Sequence, residues 1–202
     1  MEKVYTYLAL GDSYTIGEAV PLHKSFPYQV VDVLRKSKVH IAAPEIIAKT
    51  GWTTDELSSA ISEHQFLGHY DFVTLLIGVN NQYRGRRIEE YSIELESLIK
   101  QALLFANRKE EHVFALSIPD YSVTPFAKKL DAAKISAEID QYNVVKRALA
   151  TQYKIAYIEI TESTRLAYNN PSLLAEDGLH PSEKEYKNWA SKVAAAMKDF
   201  IK

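Results

Sequence analysis

The sequence predicts a three-layer α/β/α sandwich built on a mostly parallel sheet. Five short runs rich in β-branched and aromatic residues recur along the chain, at Val4 to Leu10, Glu45 to Ala48, Phe72 to Ile77, Val113 to Ile118 and Ile155 to Ile160. Most are apolar nearly throughout, as strands buried on both faces must be. Segments of helical period lie between runs. Strand and helix alternating in this way, with right-handed crossovers, put helices on both faces of the sheet.

The helical segments follow in chain order. Thr53, Thr54 and Asp55 are capping residues ahead of Leu57 and Ile61, so a shorter helix is expected to start there. Ile88, Tyr91, Leu95, Leu98, Ala102 and Phe105 share one helical stripe, with Glu89 and Glu90 at its positive end. Ile135, Ile139, Tyr142, Val145 and Leu149 form another. Trp189, Val193, Met197 and Phe200 form the last, after Pro181, a residue suited to a helix's first turn.

Composition narrows the function classes. The 202 residues carry 24 Lys+Arg against 26 Asp+Glu, a formal charge of −2, and 47% are hydrophobic. One domain over residues 1–202 is expected, large enough to bury a core without metals or disulfides. The absence of cysteine excludes disulfides, thiolate zinc sites and a cysteine nucleophile. The near-neutral, dispersed charge gives no polybasic surface for nucleic acid or anionic lipid. No run approaches the about 20 apolar residues of a membrane span. The first residues turn acidic where a secretory peptide needs a basic leader, so the chain reads as cytoplasmic, although a mature form stripped of its signal would look the same.

In parallel sheets ligands bind beyond the carboxyl ends of the strands, so the segments after each run hold the chemistry. The first is Gly11-Asp12-Ser13-Tyr14-Thr15-Ile16-Gly17. It matches neither G-x-G-x-x-G nor a Walker loop, and Thr15 stands where G-x-S-x-G requires glycine. Ser13 is therefore either a serine reaching substrate from a strand end or a helix cap, and Asp12 is read as holding the turn around it. Asp177-Gly178-Leu179-His180-Pro181 could set a carboxylate against one imidazole nitrogen and leave the other free to activate a hydroxyl, or be a surface pair. In Gly78-Val79-Asn80-Asn81-Gln82 the Asn80 amide could stabilise an oxyanion, as could the N–H of Gly51; both are also ordinary turn residues.

Together these segments resemble, in content and order, the four sequence blocks of the SGNH hydrolases, also called the GDSL esterase/lipase family. The resemblance implies a flavodoxin-like, five-stranded parallel sheet. It implies Ser13 as nucleophile, His180 as base, Asp177 as its orienter, and an oxyanion hole of the Ser13 and Gly51 N–H groups with the Asn80 amide. The chemistry implied is two-step acyl transfer on a small-molecule carboxylic ester, with no metal or organic cofactor. Two positions depart from the family pattern: Asn81 replaces the usual aspartate of the third block, and Tyr14 the usual leucine after Gly-Asp-Ser.

Tyr14, Trp52, Tyr83, Tyr121 and Phe126 fall after expected strands and could line an acyl or sugar pocket. Arg84, Arg86 and Arg87 precede a helix start, where cations are mildly unfavourable; they are either a solvated turn or a site for an acidic substrate group. The short segments after the strands favour small acyl groups, acetyl or similar, for example on a carbohydrate. Lysophospholipase or thioesterase activity on longer chains is the alternative within the enzyme class, and a non-catalytic binding module on the same fold the alternative outside it. No metal site is expected, since His64 and His69 are off a common helical face; His23, His40 and His112 read as surface residues.

Overall fold

The computed structural model describes residues 3–201; Met1, Glu2 and Lys202, which the single-domain reading includes, lie outside the described residues. The elements run β1 (Tyr7–Asp12), α1 (Ser13–Ile16), α2 (Phe26–Lys36), β2 (Glu45–Lys49), α3 (Thr54–Glu63), β3 (Phe72–Leu76), α4 (Val79–Tyr83), α5 (Ile88–Phe105), β4 (Val113–Leu116), α6 (Ala132–Gln152), β5 (Ala156–Ile158), α7 (Thr161–Arg165) and α8 (Glu183–Lys198), with short 3-10 turns between several of them. The sheet order is β2-β1-β3-β4-β5, and every pairing is parallel. The chain turns one way from β1 to β2 and the other way to β3. The crevice at such a reversal opens beyond the carboxyl ends of β1 and β3.

The central strands explain the apolar runs, because β1, β3 and β4 are buried at every position. Edge strands β2 and β5 are mostly half-buried. The first run begins later than its apolar start suggests. Val4 is exposed, and the N–H of Thr6 bonds to the Asp71 carboxylate, so regular pairing starts at Tyr7 and continues to Asp12.

Helices α2 and α8 pack together, and α3, α5 and α6 form a contiguous row on the other side of the sheet. The stripes on α5, α6 and α8 bury Leu95, Leu98, Ile139, Trp189 and Val193 as their spacing requires. A capping box between Thr53 and Glu56 opens α3. Three expectations need correction. Pro181 precedes α8 rather than entering its first turn, since Ser182 caps that helix by accepting from the Glu185 N–H. Phe200 lies past its end. His112 is buried rather than superficial: its ring stacks on Phe72 at 5.4 Å, and its Nδ1 lies 2.5 Å from the Asp71 carbonyl oxygen. Helix α2 was not expected at all, although Pro27 in its first turn and the buried Phe26, Val30 and Leu34 at i, i+4 and i+8 mark it. Among the described residues no helix is long and apolar enough to cross a membrane.

Candidate active site

The Ser13 turn is built by its neighbours. Asp12 ends β1 and its Oδ1 accepts the Tyr14 N–H at 3.0 Å, which caps the single turn of α1. Gly17 ends that turn in the left-handed region at φ 78°. Gly11 answers to packing rather than to phosphate binding. A Cβ there would stand 2.1 Å from Thr15 Oγ1 and 2.4 Å from the Leu76 carbonyl oxygen. Ser13 is thus fixed at the reversal point, 4% exposed.

The Asp177–His180 segment reaches the same point from an irregular loop. His180 Nε2 lies 3.0 Å from Ser13 Oγ, and its Nδ1 lies 2.6 Å from Asp177 Oδ2. Asp177 Oδ1 accepts the N–H groups of Leu179 and His180, both at 3.0 Å. Partial burial pushes this carboxyl up, but the His180 ring and the two N–H donors outweigh that and leave it below the usual carboxylate range. An ionised Asp177 holds the proton on Nδ1 and leaves the Nε2 lone pair facing the serine. The Tyr14 ring sits against the imidazole at 5.0 Å and stacks on Trp189 at 6.4 Å, which walls the base from behind.

Asn80 comes from α4, directly after β3. One of its amide hydrogens is donated to the Trp52 carbonyl at 3.0 Å, which fixes the amide plane and leaves the second free, and Asn80 lines the cleft. Gly51 has φ 84°, so its backbone conformation, not crowding, is what calls for glycine there. Arg84 donates to the Gly51 carbonyl at 2.6 Å and to Glu56 at 3.2 Å. Arg86 pairs with Glu90 and Asp55, and Arg87 with Glu89. Asn81 is buried and makes two bonds to Thr54, accepting its N–H at 3.1 Å and donating to its hydroxyl at 2.6 Å. An amide can do both, whereas an ionised aspartate at this position would have no hydrogen to donate.

Ser13, Tyr14, Asn80, Tyr83, Tyr121, Phe126 and His180 line one cleft, with Val79 and Leu179. Its cavity volume is about 90 Å³, well below the about 300 to 1,000 Å³ of ordinary ligand pockets. Trp52 and Arg84 stand outside that lining and touch the site through Asn80 and Gly51. The sequence reading missed Val79 and Leu179, whose signal was adjacency to motif residues. It also missed Gln82, which accepts from the Tyr121 hydroxyl at 2.9 Å and so fixes the cleft wall.

Known proteins share the fold and the sequence pattern of the chain. No curated protein sequence matches the chain. Among solved structures it is similar to an acetylxylan esterase from Geobacillus stearothermophilus, at TM-score 0.74 and 18% identity over 96% of this chain and 94% of that one. It is similar to a lipase/acylhydrolase from Enterococcus faecalis, at TM-score 0.76 and 17% identity over 98% and 97%. It is also similar to TesA, at 0.74 and 18% over 97% and 99%. These likenesses establish the shared fold. The family model of GDSL-like lipases and acylhydrolases matches residues 9–187, from the first strand through the Asp177–His180 segment. The chain therefore belongs to the GDSL-like lipase/acylhydrolase family and is a serine ester hydrolase.

Proposed function

We propose that the protein hydrolyses esters of short acyl groups, acetyl or similar, including those carried on carbohydrate, within one domain spanning residues 1–202. The observation that carries the reading is the relay from Ser13 Oγ through His180 to Asp177, at 3.0 and 2.6 Å, opening into a small aromatic cleft. Ser13 Oγ attacks the ester carbonyl carbon while His180 Nε2 takes its proton. The oxyanion is bound by the N–H groups of Ser13 and Gly51 and by the free hydrogen of the Asn80 amide. One such donor typically contributes roughly a hundred- to a thousand-fold in turnover. Collapse of the intermediate expels the alcohol, which receives the proton from His180. Water then attacks the acyl-enzyme with His180 again as base, releasing the acid and restoring Ser13. The proton transfers and the developing charge are all carried by protein groups, so the scheme uses no metal or organic cofactor.

The acyl-size assignment rests on the walls. The rings of Tyr83, Tyr121 and Phe126 form a cluster with centroids 5.9 to 6.2 Å apart, leaving little depth for a long chain. Tyr83 and Phe126 remain 55% and 45% exposed, which leaves apolar faces at the mouth for a sugar ring of the leaving group. The acetylxylan esterase among the structural neighbours points the same way.

The test is hydrolysis of a chain-length series of nitrophenyl esters by wild type and Ser13→Ala, with fluorophosphonate labelling of Ser13 alongside. Acetyl ester cleavage by wild type alone, falling off as the chain lengthens, is the expected outcome. A preference for long chains would select the lysophospholipase or thioesterase reading. Equal activity in the two proteins would remove Ser13 as nucleophile, and absence of both hydrolysis and labelling would leave a binding module.

A further inference from the structure

Behind the site lies a lysine that the acyl-transfer scheme does not use. Lys146, on α6, is fully buried, and its Nζ donates to the carbonyls of Ile77 at 2.8 Å and Leu116 at 2.9 Å. Both carbonyls mark strand ends. Ile77 leads from β3 into the turn that carries Asn80, and Leu116 is the last residue of β4. One side chain therefore ties the two strand ends to a helix behind them.

Asp12 ends β1 one residue past Gly11, which pairs with Leu76, so it stands beside the Ile77 end of β3 that Lys146 holds, and it is the opposite charge acting on this ammonium group. Asp12 is 1% exposed; its Oδ1 holds the Ser13 turn through the Tyr14 N–H, and its Oδ2 has no hydrogen-bond partner among the described residues. Burial pushes the carboxyl up and the ammonium down, and each charge opposes the other's shift. The other titratable groups acting around Asp12 are the phenols of Tyr14 on α1, Tyr91 on α5 and Tyr186 on α8, which burial keeps neutral. Lys146 is thus the positive charge that acts on Asp12 and opposes the effect of burial on its carboxyl. Such a pair is not explained by stability, because buried opposite charges seldom outperform apolar side chains of similar volume. Its geometry accounts for it better: Lys146 bonds the ends of β3 and β4 while Asp12 holds the turn at the end of β1, and the nucleophile and the Asn80 donor project from these ends.

We propose that Lys146 is a positioning residue for acyl transfer, holding the ends of β3 and β4 and balancing Asp12 so that the Ser13 and Asn80 turns keep a common register. This rests on the reading of Ser13 as nucleophile and Asn80 as oxyanion donor. Neither Lys146 nor Asp12 lines the cleft, so the effect belongs in turnover rather than in substrate binding.

The experiment compares wild type, Ser13→Ala, Lys146→Met and the double variant Asp12→Asn/Lys146→Met in kcat, KM and the pH profile of kcat on nitrophenyl acetate. Lys146→Met is expected to lower kcat by roughly ten- to a hundred-fold with KM nearly unchanged, the scale of a small misplacement of reacting groups. Its acid limb should move to higher pH, because Asp12 without its cation keeps a proton longer and caps the Ser13 turn less well. Asparagine at position 12 can still accept the Tyr14 N–H but cannot titrate. The double variant should therefore return the acid limb to the wild-type position and recover part of kcat. If Lys146→Met does not fold, recovery of folded protein with a wild-type acid limb in the double variant supports the proposal equally. A Lys146→Met profile superimposable on wild type overturns it, as does a double variant no better than Lys146→Met in yield, kcat and acid limb. An active Ser13→Ala would remove the underlying site assignment instead, whatever the Lys146 variants do.

Discussion

The Ser13 turn and the Asp177–His180 loop meet at 3.0 Å, yet they are held by different physics. The first is an extension of the core. β1 is buried along its whole length, Gly11 has no room for a side chain, and the capping aspartate is itself enclosed. The second hangs on local hydrogen bonds at the surface. Asp177 is 33% exposed at its side chain, and the loop is closed by the bridge between Leu174 and Pro181 and by the Ala175 N–H on the His180 carbonyl. It is steadied from outside by the Phe126 N–H on the Gly178 carbonyl. The nucleophile's place is thus a consequence of the fold, whereas the base's place is set by a few bonds added to it. Substitutions at the loop should therefore separate activity from stability, and substitutions at the turn should not.

The largest expected effect is Asp177→Asn. The asparagine keeps an oxygen for the Leu179 and His180 N–H groups but no longer fixes the imidazole tautomer, a loss worth about four decades in kcat where the same relay has been cut. Its Tm at pH 7 should stay close to wild type, which thermal melts beside ester kinetics would show. A large fall in Tm would mean that the loop is as much a part of the core as the turn. Next comes Gly11→Ala. The new Cβ meets the Leu76 carbonyl oxygen, which is backbone and cannot swing aside, so overpacking of about 1–3 kcal/mol or more is expected, with activity falling alongside it. Urea unfolding with an unchanged midpoint would show that the turn yields more easily than its packing indicates.

The same contrast explains what could be read in the chain itself. The central strands and long helices were legible because burial on both faces, or on one stripe, imposes period and apolarity directly. The motif residues were legible because Ser13, Asn80, Asp177 and His180 carry unusual chemistry at the ends of such elements. Contacts between distant segments were not. Nothing in the local sequence of Arg84 tells that it holds the Gly51 carbonyl and Glu56, or that Arg86 meets Asp55. His112 reads as superficial because it is isolated from other histidines in the sequence, while its burial depends on Phe72 and Phe200 from elsewhere in the chain. Trp52 was singled out for its ring, and its backbone carbonyl is what orients Asn80. Lys146 was invisible for a related reason, since a lone lysine on a helix is usually solvated.

The smallest expected effect concerns the two aspartates, which burial and hydrogen bonding shift in opposite directions. Asp12 is raised, so its contribution to stability is present at low pH and is lost as pH rises through its folded value. Asp177 is lowered, so its contribution is fully present above the unfolded value of about 3.9 and is lost as pH falls through the folded one. Because Asp177 is largely solvated, that contribution is screened and should be modest. Wild type and Asp177→Asn melted side by side from pH 6 down to about pH 2.5 should show a Tm difference that is constant at the upper end. It should shrink below about pH 4, as the wild-type carboxylate takes its proton and its bonds to His180 and Leu179 weaken. A difference that stays constant across the whole range would mean that those bonds act on the imidazole alone and contribute nothing to holding the loop.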